Sequence, residues 1–277
     1  MRRFALGVGF AAGLALSAGS ALAATTTIDV YPGTFEGWGI PGGPPAGNFG
    51  GFRFGTTTNS TFVDGIPESA ILANEDPMDL NGDGIRGVAR RLTVLGATEI
   101  GRFGWKSQIP QLGDFIKDAM GGECGITTPD DGRGFAFVTD ADNVPDPELS
   151  QQEFDQTLFF LSLLGPPLRG GSTDPRVLQG EQIFNSIGCA TCHVPELPGA
   201  TDPLSLYSNL RLHDVHAAGY RGMAEPGADA GFFRTPPLWG IRDTAPYLHD
   251  GRAETLLEAA LMHDGEARRV RDRCEAL

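Results

Sequence analysis

Cysteine and histidine are scarce in this chain of 277 residues, with only four and five respectively, and no run of basic residues occurs. The 21 Lys and Arg residues are outnumbered by 35 Asp and Glu residues, so the formal net charge is -14. An acidic chain without a basic patch has no electrostatic attraction for nucleic acid or for an anionic membrane surface. We therefore expect no nucleic-acid partner.

Long apolar runs are absent after the N-terminus. A short basic start is followed by the apolar run Phe4 to Leu22, and the small residues Ala21-Leu22-Ala23 close it. This order is typical of a signal peptide, residues 1–23, that is cleaved before Ala24. An uncleaved anchor is the alternative, because the run is close to the length that spans a bilayer. We expect a periplasmic or secreted protein with no stable membrane span after cleavage.

Glycine and proline are abundant, with 39 and 20 residues, which predicts many loops. Residues 24–65 are dense in both, and we expect irregular loop or short edge strands there. A first module over 66–167 and a second over 168–277 follow, with a boundary where Gly165-Pro166-Pro167 ends a helix. The fold class we expect is mainly α with long loops, and with little sheet outside the N-terminal segment.

Helix starts are the clearest local signals. Pro67 predicts the first turn of a short helix over 66–73. Ser150 and Glu153 form a capping box ahead of apolar residues at helical spacing. Asp174 followed by Pro175 predicts the start of a third helix.

The third helix leads into Cys189-Ala-Thr-Cys192-His193. Two thiols on one turn can each bond a vinyl group of the same porphyrin, and the adjacent histidine can bind the iron. A redox-active dithiol would need a thioredoxin-like strand before it, zinc would need a fourth ligand, and a disulfide this short would be strained. The segment therefore predicts one covalent c-type haem, with His193 as an iron ligand.

Two neighbouring residues are candidates for the second iron ligand. His263 lies at the end of a predicted helix, where a late helix of small cytochromes crosses the haem-bearing one. Met262 is the alternative, because thioether ligands are also common. The remaining histidines, for which an ordinary polar role is the simpler interpretation, are His213, His216 and His249.

The loop Asp79-Leu-Asn81-Gly-Asp83-Gly84 begins as calcium loops do, with oxygen-bearing side chains at alternate positions and a glycine after them. Arg90 occupies the position at which a bidentate Glu would complete the motif. A solvated turn held by Asx hydrogen bonds explains the same residues without a metal. Calcium binding by Asp79, Asn81 and Asp83 and an empty Asx turn are thus the two interpretations.

Longer strings carry a family resemblance. Residues 234–256 read RTPPLWGIRDTAPYLHDGRAETL, and further matching strings lie at 188–197, 79–85 and 101–106. Over about residues 64–267 the chain resembles the bacterial di-haem cytochrome c peroxidase superfamily, and within it the di-haem oxidoreductases often labelled thiol oxidoreductases. In relatives the sixth iron ligand follows the histidine of the Tyr-x-His-Asp-Gly string by fourteen positions, which here selects His263. The resemblance thus implies bis-histidine ligation by His193 and His263, with Met262 as the alternative.

One departure from the family is large. Relatives carry two Cys-x-x-Cys-His motifs, whereas this chain has one, and residues 24–62 contain neither cysteine nor histidine. The first module is therefore interpreted as degenerate. We expect an exported c-type cytochrome that transfers electrons to or from a redox partner, for example another cytochrome, and a small cationic one would complement the acidic charge. An oxidoreductase of the peroxidase type is the alternative, and no catalytic residue is assigned.

A faint internal repeat pairs Phe103–Leu112 with Tyr247–Leu256. In the superfamily an aromatic residue near the first haem helps to relay electrons, and the resemblance places Trp105 there; packing of a buried Trp is the other interpretation. Cys124 and Cys274 are isolated, and either remain free or pair with each other. The chain ends without the closing helix expected of a cytochrome module, so truncation is an expectation as well.

Overall fold

The computed structural model describes residues 63–73, 75–162, 173–200, 203–217 and 222–277. The signal peptide predicted at 1–23, the segment 24–62 and the module boundary near residue 167 lie outside these residues. None of the helices in the described ranges combines the length and the apolar character that crossing a membrane requires.

Six α-helices occur in the described part of the chain. They are joined by long loops, as the glycine and proline content predicted. In chain order they are α1 (Glu68–Leu72), α2 (Leu112–Cys124), α3 (Gln151–Ser162), α4 (Pro175–Ile187), α5 (Leu256–Leu261) and α6 (Arg268–Glu275).

Three two-stranded antiparallel sheets accompany the helices within the described residues. Strand β1 (Arg91–Val94) pairs with β2 (Ala97–Ile100), β3 (Leu197–Pro198) with β4 (Pro203–Leu204), and β5 (Leu212–Asp214) with β6 (Phe232–Arg234). The described residues thus contain more helix than strand, and the sheets outside the N-terminal segment are small. Strands this short contain too few residues for an alternating pattern to be recognised in the sequence.

The predicted helix starts are confirmed. Pro67 precedes α1, and Asp174 accepts a hydrogen bond from the Arg176 amide while Pro175 is the first residue of α4. At α3 the Ser150 amide donates to Glu153 and the Glu153 amide donates to the Ser150 hydroxyl, at 3.0 and 3.3 Å. This reciprocal pair satisfies two of the donors that a helix start leaves open.

The C-terminal helix α6 corrects one expectation, since no closing helix was predicted. Its eight residues include four arginines, and its hydrophobic periodicity is limited to Val270 and Cys274. These two are four positions apart and therefore lie on the same face of the helix. Helix α6 packs against α4 and α5.

Residues of both predicted modules share one hydrophobic core. Ile66, Ile71 and Ile100 of the first pack in the same cluster as Leu206 and Leu210 of the second. A smaller cluster joins Leu112 and Ile116 of α2 to Phe154 of α3. The shared core fixes the two predicted modules against each other.

Buried cationic side chains bond the loop backbones together. The terminal nitrogen Nη1 of Arg102 donates to the carbonyl oxygens of Val63, Asp64 and Ile66 at 3.1, 2.9 and 2.8 Å. These carbonyls lie in and just after the 3₁₀ turn Val63–Gly65 that precedes α1, where the Ile66 amide donates to the Val63 carbonyl at 3.2 Å. A buried carbonyl without a donor costs free energy, so Arg102 stabilises an otherwise irregular segment.

Arg90 and Lys106 of the first module also donate to backbone carbonyls, and their bonds join this module to the second. Arg90 donates to the carbonyl of Lys106 at 2.8 Å and pairs with Glu225 at 2.7 Å. The Lys106 ammonium donates to the carbonyls of Asp229 and Phe232 at 2.8 and 2.6 Å. The loop 225–232 is thereby attached to the first module.

The internal repeat has a structural counterpart. The bridge between Phe103 and Ile109 recurs between Tyr247 and Ala253, its equivalents in the repeat. Gly104 and Ser107 have positive φ angles of 78° and 51°, and so do their equivalents, with 68° at Leu248 and 70° at Gly251. Helices α2 and α5 then begin at the equivalent residues Leu112 and Leu256. Because backbone and sequence agree, we interpret these segments as two copies of one unit.

Arg102 gives a test of this bonding. Replacing the 6% exposed Arg102 with Met removes three hydrogen bonds to carbonyls, and of these carbonyls Val63 keeps a backbone donor, the Ile66 amide. We expect the free energy of unfolding to fall by about 3–5 kcal/mol. Arg91 is the control, because its side chain is 51% exposed and ion-paired to Glu75, and its replacement with Met should cost at most about 1 kcal/mol. Urea denaturation measures both, and equal losses would contradict the prediction.

Candidate functional site

The Cys-x-x-Cys-His segment turns sharply after α4. Gly188 ends the helix with φ 103° and ψ 9°, a left-handed conformation that glycine adopts at little cost. A single 3₁₀ turn over Cys189–Thr191 follows, and the His193 amide donates to the Cys189 carbonyl at 3.0 Å. Both cysteines and His193 consequently lie on one compact turn.

This turn lines a cavity of about 470 Å³. The volume is within the range of small-molecule and cofactor sites in proteins. Its walls are mainly apolar, and none of the described residues lining it is Asp or Glu. Helices α4, α5 and α6 contribute most of the apolar surface, including Ile183, Phe184, Ile187, Leu256, Ala260 and Val270.

His193 is fixed in one orientation. Its Nδ1 donates to the Tyr207 carbonyl at 3.0 Å, and the Tyr207 hydroxyl is in turn bonded to Glu181 at 3.0 Å. Burial lowers the pKa of His193 to about 4, so the ring is neutral at pH 7. With Nδ1 carrying the hydrogen, the lone pair is on Nε2, which is the atom left for a metal.

His263 lines the same cavity as His193, although the two residues are far apart in the sequence. Helix α5 begins with a capping box of Thr255 and Glu258, and His263 follows its last turn. The Nδ1 of His263 donates to the Ala259 carbonyl at 2.6 Å, and burial lowers the pKa of this ring too. The structure therefore brings together two neutral imidazoles whose Nε2 atoms are both available.

Met262 is oriented differently from its neighbour. Its side chain is 40% exposed, and it is not among the residues that line the cavity.

A buried ion pair beside the cysteines was missed in the sequence. His213 is 2% exposed, and its Nδ1 contacts Glu266 at 2.8 Å and the Cys192 sulfur at 3.7 Å. Burial alone would lower the pKa of His213, but the bonds to Cys192 and Glu266 raise it to about 9. No periodicity connects positions this far apart, so the sequence contained no signal for the pair.

The other two cysteines, Cys124 and Cys274, lie in different environments. Cys274 of α6 lines the cavity with Cys189, whereas Cys124 is exposed at the end of α2. All four cysteines are unbridged. Burial raises the pKa of Cys189 to about 11, and Cys274 adds to the effect.

The Asp79 loop contains two consecutive Asx turns. Asn81 Oδ1 accepts from the Asp83 amide at 2.9 Å, and Asp83 Oδ1 accepts from the Ile85 amide at 2.8 Å. Asp79 Oδ1 closes the loop by accepting from the Gly84 amide at 3.0 Å. The Asn81 side-chain amide also donates to Asp83 at 3.2 Å. These bonds are those of the metal-free interpretation, and calcium binding stays a prediction.

Trp105 is not a buried packing residue, because 52% of it is exposed. Its ring meets the edge of His249, its equivalent in the repeat, with centroids 6.1 Å apart. His249 stacks on Phe233 at 4.1 Å, and Phe233 lines the cavity. A T-shaped contact followed by a stacked one thus connects the exposed Trp105 to the cavity wall, while His216 packs beside them, 4.8 Å from Phe233.

Two thiols and two oriented neutral imidazoles around one apolar cavity make up the donor set of a covalent haem site. A family model described as "Di-haem oxidoreductase, putative peroxidase" matches residues 49–277. The chain belongs to this di-haem oxidoreductase family.

Among curated proteins, a relative is the cytochrome c551 peroxidase of Nitrosomonas europaea, which is 33% identical over 87 residues. The match covers 30% of this chain and 25% of the relative, so the chain spans about a quarter of the relative's length. No solved structure matches the chain.

Gly188 provides a test of how the cysteine turn is formed. The backbone at Gly188 has a positive φ, which a residue with a β-carbon adopts only with strain. The β-carbon would also lie 3.3 Å from Val270 of α6. We expect Gly188→Ala to lower the free energy of unfolding by about 1–3 kcal/mol. Gly122→Ala, at an open position inside α2, should instead raise it by about 0.5–1 kcal/mol. Thermal unfolding of the two variants should shift in opposite directions; a common sign would refute the role of Gly188.

Proposed function

We propose that this protein is an exported c-type cytochrome that carries one covalent haem and transfers electrons. Cys189 and Cys192 would form the thioethers, and His193 and His263 would bind the iron. The observation that carries the proposal is that both histidines line one apolar cavity, each with its Nδ1 bonded to a backbone carbonyl. The haem would supply a one-electron change at its iron.

The residues present fit such a group by their chemistry. Neutral imidazole nitrogen is an iron ligand in haem proteins, and a carbonyl bonded to the other ring nitrogen fixes the tautomer and raises ligand basicity. The Tyr207 and Ala259 carbonyls fill this role for His193 and His263. The apolar walls would limit the access of water to a bound haem and would give its iron surroundings of low dielectric.

Ligation by both histidines favours electron transfer over catalysis. An iron bound by His193 and His263 would have no open position for a peroxide. Backbone carbonyls accept hydrogen bonds from the two rings at 3.0 and 2.6 Å, and these bonds fix the orientation of each ring. Met262, which faces away from the cavity, is the weaker candidate for the second ligand.

The repeat supports a single haem. In the pairing that matches Phe103 with Tyr247, the position equivalent to His263 is Ala119 of α2. The alanine side chain has no atom that can bind iron, and the sequence contains no Cys-x-x-Cys-His before this unit. The first module would accordingly serve as a scaffold, with Trp105 and its stacked neighbours as a path for electrons to the surface.

A second candidate function is favoured by family membership. Relatives are di-haem oxidoreductases, and the curated relative is a peroxidase by name. In this chain that function would require release of His263 or a haem supplied by a partner. A partner protein that is small and cationic would suit the net charge of -14 in either case.

Replacing His263 with Ala tests the ligand set. We expect the variant, purified with its haem, to change from a low-spin to a high-spin spectrum because one of two imidazoles is lost. Met262→Ala is the matched control and should leave the spectrum unchanged, since Met262 does not line the cavity. Absorption and electron paramagnetic resonance spectra check this, and the reverse pattern would identify Met262 as the ligand.

Haem content and peroxide turnover test the function itself. We expect one haem per chain from the mass and the reduced pyridine haemochrome, because the chain has one Cys-x-x-Cys-His segment. We expect wild-type protein to consume peroxide slowly and the His263→Ala variant to consume it faster, because the variant opens a position on the iron. Two haems per chain would contradict the single-haem proposal. Rapid turnover by the wild type would establish the peroxidase alternative.

A further inference from the structure

Arg234 is held at the cavity wall by its backbone and by one side-chain bond. It is the last residue of β6, where it pairs with Leu212, and its amide donates to the Trp105 carbonyl at 2.8 Å. The side-chain Nε donates to the Gly104 carbonyl, also at 2.8 Å. With Nε occupied, the two terminal nitrogens are the part of the guanidinium left for the cavity that Arg234 lines.

This guanidinium has no anionic partner among the described residues. Nε makes the one hydrogen bond of its side chain, and the terminal nitrogens make none. Burial lowers the pKa of Arg234 to about 10, and no acidic side chain offsets the effect. The group remains a cation at pH 7, so a positive charge faces an apolar cavity.

Arg234 differs from its neighbouring cations in that its terminal nitrogens have no partner in the described part of the chain, whereas the charged nitrogens of the others bond an anion or, at Lys106, backbone carbonyls. Arg90 is paired with Glu225 at 2.7 Å, His213 with Glu266 at 2.8 Å, and Arg271 with Asp272 at 2.7 Å. His213 and Arg271 line the same cavity as Arg234. A buried charge without a counter-ion is costly, so the occupant of the cavity is expected to bring one.

We infer that Arg234 binds a carboxylate inside the cavity, and that this carboxylate is a propionate of the haem. The inference rests on the proposed function, because it requires the haem. A guanidinium presents a planar pair of N–H donors that matches the two oxygens of a carboxylate. A porphyrin carrying propionates would supply the missing negative charge, and Arg234 would position it and favour the reduced iron electrostatically. A free small carboxylate offers the same chemistry from a second source.

The test compares Arg234→Gln and Arg234→Lys with Arg176→Gln, which removes the same charge from a side chain that is 90% exposed at the start of α4. Each haem-loaded protein is examined by redox titration and by resonance Raman spectroscopy of the propionate bending modes. We expect Arg234→Gln to shift the propionate modes and to lower the reduced-to-oxidised ratio at a fixed potential at least tenfold, equivalent to about 59 mV for one electron. Arg234→Lys should keep most of the potential but still shift the modes, and Arg176→Gln should change neither.

Sodium acetate distinguishes the two sources of carboxylate. If a propionate occupies Arg234, acetate leaves the wild-type spectrum and potential unchanged. A saturable acetate effect that Arg234→Gln abolishes would overturn the propionate assignment in favour of a free anion. Haem-loaded Arg234→Gln with unchanged modes and potential would overturn the inference and leave the proposed function intact. A wild-type protein purified without covalent haem would overturn both.

Discussion

Hydrogen bonds from buried cations to backbone carbonyls are the interaction on which the rest of this structure depends. A chain with 39 glycines and 20 prolines has long loops, and loop carbonyls have no helix or sheet to supply donors. Arg102 bonds the segment before α1, and Lys106 bonds the loop that leads into β6. Strand β6 carries Phe233 and Arg234 to the cavity wall, so the position of the site follows from these bonds.

The cavity has apolar walls and also contains polar side chains in fixed orientations, two properties that are difficult to combine. A covalent haem needs an apolar pocket, yet the pocket also needs donors held in fixed orientation. The structure satisfies both by taking its acceptors from the backbone, at Tyr207 and Ala259, so that no Asp or Glu is needed in the described part of the wall. Charge at the described wall is limited to His213, which is paired with Glu266, to Arg271, which is paired with Asp272, and to Arg234.

The two copies of the repeated unit share their backbone but differ at the position of the proposed second iron ligand. Phe103–Ile109 and Tyr247–Ala253 share a bridge and positive φ angles at equivalent positions, and helices follow both. Backbone geometry has been kept in the copy where Ala119 occupies the place of His263. The first copy also contributes to packing, since Phe103 contacts the shared core and Trp105 contacts His249.

The sequence by itself determined what is local. Asp174 with Pro175 and Ser150 with Glu153 predicted helix starts correctly, because capping involves residues within a few positions of each other. The spacing of Cys189, Cys192 and His193 predicted one turn for the same reason, whereas His263 as the second iron ligand was predicted from the family strings alone and stays a prediction.

Only the tertiary structure decided what is distant. It placed His213 beside Glu266 and Arg234 at the cavity wall. It also showed that α6 is a helix, although Val270 and Cys274 are too few apolar residues among its arginines to form a recognisable pattern. The short strands were also decided there, since pairing over so few residues depends on partners far along the chain. Burial and counter-charges arise from packing between segments, and no periodicity within a single segment encodes them.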